Sequence, residues 1–182
     1  MSTNPGPAEP ARLHSLAAYF RARLGGAARK VPLDAGFSCP NRDGTISRSG
    51  CLFCNPAGSG TGLLAQGLGL AGQWERLAPR LRARHPEARL LAYLQSYTNT
   101  HASTARLGQV LAEISALSGV SGLCIGTRPD CLDVGIGVGN GDGCCPRLDL
   151  LASFLRQGAG GPGPGPGPGA GFDFIQLDLG LQ

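Results

Sequence analysis

The sequence predicts an α/β chain built on a parallel sheet of about four strands, and three observations carry that expectation. Short apolar or alternating segments recur at 89–95, 120–125 and 172–179, too short to be buried helices. Amphipathic stretches with a 3.6-residue period lie between them. Each strand-like segment also runs into a polar, turn-rich cluster. Strands alternating with helices imply a parallel sheet covered by the intervening helices.

Taken in order, residues 1–10 form a disordered lead-in, and 11–182 form one core. Residues 11–24 set Leu13, Leu16, Ala17, Phe20 and Leu24 at helical spacing, and Gly25-Gly26 ends that helix. Lys30–Phe37 (KVPLDAGF) reads as an extended segment entering a loop over 38–62 that is dense in Cys, Pro, Asn, Asp and Gly. A helix over about 72–84 stops before Pro86. Residues 89–95 (RLLAYLQ) form a buried strand followed by the polar burst SYTNT. Leu107, Val110, Leu111, Ile114 and Leu117 share one face of a helix over 104–117, with Ser103 or Thr104 as its N-cap. A third strand at 120–125 leads into GTRPD, and a weaker helix covers about 147–157. Between 158 and 171 the sequence becomes GAGGPGPGPGPGAG. Its two-residue repeat rules out collagen, and its lack of donors and high chain entropy mark an insertion or linker. FDFIQLDL at 172–179 then reads as the fourth strand.

Right-handed crossovers put the C-terminal ends of parallel strands on one rim. Cys39 follows the first strand, Ser96–Thr100 the second and Gly126–Asp130 the third, while Asp178 lies on the fourth. In a β/α barrel that rim gathers the functional groups.

The formal charge of +4 does not amount to a nucleic-acid surface, because Arg is scattered and no run of five or six cations occurs. No N-terminal charged-then-apolar leader and no apolar run of about 18 residues is present, so a soluble, cytoplasmic protein with no membrane partner is expected. Seven Cys without a secretory signal point to a reducing compartment, with thiols used as ligands or core residues.

Cys39 is followed by eleven residues, then Cys51, two residues and Cys54. A Cys-x2-Cys pair brings two sulfurs to one metal or one cluster, and the turn-rich PNRDGTISRSG loop is long enough to fold back onto Cys39. Three thiolates on a four-iron cube leave one iron open, unlike an electron-transfer cluster with four Cys ligands. An open iron can chelate the amino and carboxylate groups of S-adenosylmethionine (SAM), a cofactor of radical chemistry. Zinc is the rival reading, since zinc ribbons use the same pair, but a structural zinc wants four ligands. His14, His85 and His101 are isolated, and Cys144-Cys145 lack that spacing. Cys124 and Cys131 read as packing residues.

KVPLDAGFSCPNRDGTISRSGCLFCNPAGSG resembles the cluster motif of a bacterial family of uncharacterised radical SAM proteins, similar to the radical SAM domain of the elongator catalytic subunit. The long first spacing, in place of the usual three residues, is a feature of that family. The resemblance continues through LQSYTNTHAS, GLCIGTRPDCL and LDLGLQ, four motifs in order. It implies a partial (β/α) barrel of the radical SAM type, a [4Fe-4S] cluster on Cys39, Cys51 and Cys54, and SAM as cofactor. It places SAM beside Gln95, Tyr97, Thr98 and Asn99, and puts Thr127, Arg128 and Asp130 at the next rim position. Asp178 falls where the family has Glu, a carboxylate one methylene shorter. The implied activity is one-electron cleavage of SAM to a 5′-deoxyadenosyl radical, with a flavodoxin- or ferredoxin-type donor and, by analogy with relatives, an RNA substrate. A zinc-stabilised RNA- or protein-binding module and an inactive fragment are the alternatives. Such cores close most of a barrel with six strands, so a chain ending just after its fourth is expected to be truncated.

Overall fold

The computed structural model describes residues 15–132, 145–155 and 171–179. The expected lead-in, most of the Gly/Pro insertion, Leu13, Cys144 and Gln182 lie outside the described residues. The elements alternate as the sequence predicts. They are α1 (Leu16–Leu24), β1 (Ala28–Leu33), α2 (Leu70–Arg84), β2 (Arg89–Leu94), α3 (Thr104–Ser115), β3 (Gly122–Thr127), α4 (Pro146–Ser153) and β4 (Ile175–Leu179). The four strands form one sheet in sequence order, every neighbour parallel.

Local chemistry sets the boundaries. The Ser15 and Ser103 hydroxyls accept from Ala18 N and Arg106 N and start α1 and α3, while Gly25 at φ 70 ends α1. The first strand is shorter than the KVPLDAGF segment. It ends at Leu33, where the Gln73 side chain replaces a strand neighbour: its Oε1 accepts from Asp34 N at 2.8 Å and its Nε2 donates to Asp34 O at 2.9 Å. That fully buried amide turns the chain off the sheet and into the cysteine loop. Pro32 is tolerated because β1 is at an edge of the described sheet.

The sheet has two unlike faces. Val31, Leu33, Leu90, Ala92, Leu94, Leu123 and Ile125 pack against Leu70, Trp74 and Ala78 of α2 and Leu107, Val110, Leu111 and Ile114 of α3. On the other face, Phe20 and Leu24 of α1 join Ala28, Leu91, Cys124 and Phe174, with the Phe20 and Phe174 rings edge to face at 5.9 Å. Above that apolar plug, toward the C-terminal ends of the strands, the face turns polar with Tyr93, Gln95 and Asp178.

The polar face is also curved. Lys30 Nζ of β1 meets Asp178 Oδ2 of β4 at 2.6 Å, across two intervening strands. Three strand spacings in a flat sheet amount to about 14 Å. Lys30 shares its row with Leu91 and Gly122, whereas Asp178 sits opposite Gly126, further along the sheet. A contact this short requires the sheet to curl around this face. Among the described residues no helix is long and apolar enough to cross a membrane.

Candidate functional site

A cavity of about 600 Å³ opens at the C-terminal ends of the strands. Its wall includes Cys39, Cys51, Cys54, Gln95, Tyr97, Thr98, Thr127, Arg128 and Asp178, so the structure brings these sequence-predicted residues to one place. Asn99 stands apart from that wall. It is fully buried, and its Nδ2 donates to Leu94 O at 3.0 Å and Gly126 O at 2.9 Å, bracing the ends of β2 and β3.

The cysteine loop is folded by its own polar side chains. Arg42 donates from Nη2 to Cys54 O at 3.2 Å and Asn55 O at 2.8 Å, and from Nη1 to Pro56 O at 3.4 Å, so one guanidinium gathers the segment that carries Cys54. The Arg42 cation also lies 5.7 Å from the Tyr97 ring centre. Asp43 accepts from Thr45 N and Oγ1, from Ser38 Oγ and from His101 Nε2 at 2.7 Å. His101, isolated in the sequence, thus ties the loop after β2 to the loop after β1. The Thr45 hydroxyl and amide, then His101 and Ser38, hold the Asp43 carboxyl well below the usual carboxylate range.

The loop after β2 is stitched to the same segment. Tyr97 N donates to Gly58 O and Thr98 N to Ser38 O, both at 3.1 Å. A Cβ on Gly58 would lie 2.6 Å from the Tyr97 ring, so only glycine lets the two loops close. Ser59 and Tyr97, at φ 64 and 62, are the non-glycine positions in the left-handed region among the described residues, and both line the cavity. Strained backbone held by its surroundings gathers at functional sites. Arg147 of α4 fastens the far side of the loop through Thr100 O and Ala102 O, at 2.8 and 2.6 Å.

Each of the three loop thiols has one side-chain hydrogen-bond partner. Thr98 Oγ1 donates to Cys39 Sγ at 3.4 Å, Asn41 Nδ2 donates to Cys51 Sγ at 3.2 Å, and Ser59 Oγ lies 3.6 Å from Cys54 Sγ. Cys39 is buried, whereas Cys51 and Cys54 are part-exposed. Among the described residues no three His, Cys, Asp or Glu side chains are placed to hold one metal ion. The three thiols are spread around one cavity wall instead.

At the third rim position Arg128 makes a bidentate pair with Asp130, at 2.9 and 2.7 Å, while still facing the cavity. Thr127 is buried and hydrogen-bonded to the Thr100 hydroxyl. Asp178 is fully engaged: Oδ2 takes Lys30 and Oδ1 accepts from Gln176 Nε2 at 2.6 Å. Lys30 also sits 4.4 Å from the centre of the Tyr93 ring. Burial, with Asp178 nearby, pushes the Tyr93 hydroxyl up to about 12, so it is a neutral donor. Cys124 is buried beneath them, its thiol pushed up to about 12 by burial, and it is a packing residue as expected. Cys131 is likewise buried, and desolvation raises its thiol. Lys30, Gln73 and Arg42 carry this architecture without having been singled out in the sequence. A signal for Lys30 existed, since it is the single lysine among 16 basic residues.

Known proteins are similar to this chain in sequence. It is 40% identical to Uncharacterized protein YtqA of Bacillus subtilis over 134 residues, which are 72% of this chain and 42% of YtqA. It is 39% identical to Protein YhcC of Escherichia coli K12 over 136 residues, 75% of this chain and 39% of YhcC. Uncharacterized protein MJ0486 of Methanocaldococcus jannaschii is 27% identical over 131 residues, 71% of this chain and 36% of that protein. The chain spans about two fifths of the length of the curated relatives it matches. No family model and no solved structure matches.

Proposed function

We propose that this chain is the cluster-bearing part of a radical SAM enzyme, its curved four-stranded sheet being part of a (β/α) barrel. One observation carries the reading: three thiols from a single loop face one cavity, each with its own hydrogen-bonding side chain. A [4Fe-4S] cube bonds each thiolate to a different iron, so its ligands need not converge on a point as single-zinc ligands must. Cys39, Cys51 and Cys54 would hold the cluster, and SAM would chelate the open iron. Held there, the pair would supply one-electron chemistry: an electron from a ferredoxin- or flavodoxin-type donor would cleave SAM to methionine and a 5′-deoxyadenosyl radical.

The chain's own contribution is to shape the cavity and line it with polar groups. Gln95, Thr127 and Arg128 offer polar groups at the strand ends, and the Arg128–Asp130 pair fixes the guanidinium. The Phe20–Phe174 cluster packs the same sheet face with apolar side chains, and Tyr93, which packs against it, lines the cavity. An RNA substrate is part of the proposal by analogy alone.

Anaerobic reconstitution tests it. The expected product holds about four irons per chain and a broad visible absorbance that bleaches on reduction, and it binds SAM. Cys39→Ala, Cys51→Ala and Cys54→Ala each lose the cluster. Colourless protein with one zinc, or iron retained in any of the three variants, overturns the reading. A cluster that forms without SAM binding supports an inactive fragment instead.

A further inference from the structure

We propose that Asn41, Ser59 and Thr98 are positioning residues that set the reduction potential of the cluster by donating one hydrogen bond to each of its three thiolates, an inference that rests on the function proposed above. Three side chains from two loops meet the sulfurs one to one: Asn41 from the start of the cysteine loop to Cys51, Ser59 from its end to Cys54, and Thr98 from the loop after β2 to Cys39. Cys39 and Thr98 are both buried, so that hydroxyl donates where water competes little. Ser59 reaches Cys54 from a left-handed backbone that its surroundings impose: its N–H donates to Asn55 Oδ1 at 2.8 Å. A thiolate can only accept, so once Cys54 is a ligand the direction of the Ser59–Cys54 contact is fixed, with the hydroxyl as donor.

An electron entering the cluster from its one-electron donor raises the negative charge on the ligand sulfurs. Hydrogen bonds to charged acceptors are stronger than those to neutral ones, so each donor stabilises the reduced form more than the oxidised form. The three contacts therefore raise the potential and make the cluster easier to reduce. Side chains that hydrogen-bond to metal ligands generally orient those ligands and tune the metal.

The test uses full-length chain reconstituted anaerobically, with iron content measured first and the midpoint read by paramagnetic resonance in a mediated dithionite titration. Thr98→Val, Asn41→Leu and Ser59→Ala each remove the donor with the same or a smaller number of side-chain heavy atoms. Each is expected to keep its iron and to shift the one-electron reduction equilibrium about tenfold toward the oxidised form, which is about 59 mV more negative. Thr98→Val should show the largest shift, and Thr98→Ser should return to the wild-type potential. Unchanged midpoints in three iron-loaded variants overturn the proposal. Iron loss in a donorless variant also counts against it, unless Thr98→Ser regains both iron and potential. A wild-type chain that takes up no iron overturns both this inference and the function it rests on, and iron content alone tells the two failures apart.

Discussion

Asp43 accepts four hydrogen bonds from three residues of two loops, and these donors favour its ionised form over the neutral acid. A carboxyl held below its ordinary value contributes stability that is present above that value and is lost as pH falls toward the folded-state value. Unfolding free energy should therefore decline as pH drops below about 3.9, the unperturbed aspartate value. Asp43→Asn should flatten that decline, because it removes the titrating group while keeping an acceptor for Thr45. Urea unfolding across a series of acid pH values measures both slopes, and identical slopes would show that Asp43 does not tie the loops together. The sequence made the three cysteines visible but not this arrangement. Spacing reports which sulfurs can share a group, whereas Arg42, Asp43 and His101 act across 12 to 58 residues of separation, through contacts that exist only once two loops meet.

At the scale of elements, period and capping were legible where one face is buried. Helix α3 begins at the cap its sequence announces, and its apolar stripe is buried at Leu107, Val110, Leu111 and Ile114. The end of β1 was not legible, because an amide forty residues away, Gln73, does the work of a strand neighbour there. Helix α2 breaks a local rule: Pro79 lies inside it and removes a backbone donor. The helix persists because Pro79 is exposed, so the freed carbonyl can reach water, while Trp74 and Ala78 anchor the opposite face in the core. Pro79→Ala should restore the missing bond and raise stability by about 1–3 kcal/mol, the upper bound being the intrinsic penalty of proline in a helix and the lower allowing for a freer unfolded chain. A urea midpoint unchanged or lowered by the substitution would mean that the proline is accommodated by tertiary contacts rather than tolerated.

For the molecule as a whole, the decisive contact is the one that joins the two outer described strands. Lys30 and Asp178 are each less than a third exposed, and their pairing spans β2 and β3 on the concave face of the curved sheet that walls the cavity. Composition bears on this too: 15 of the 16 basic residues are arginine, and the single lysine stands at this position. A compact ammonium on a flexible stem can pass over the Tyr93 ring and reach one carboxylate oxygen, whereas a planar guanidinium would ask for two. If the pair sets the curvature, Lys30→Met strands a partly buried carboxylate and should cost about 1–3 kcal/mol, below the full penalty for a buried pair because water reaches both ends. Lys30→Met combined with Asp178→Leu should recover much of that loss, since the stranded charge is gone. The two single variants and the double variant, compared by urea unfolding, give the coupling directly. Additive losses would show that the two side chains do not act as a pair, and the curvature would then have to come from the packing of α1 against Phe174.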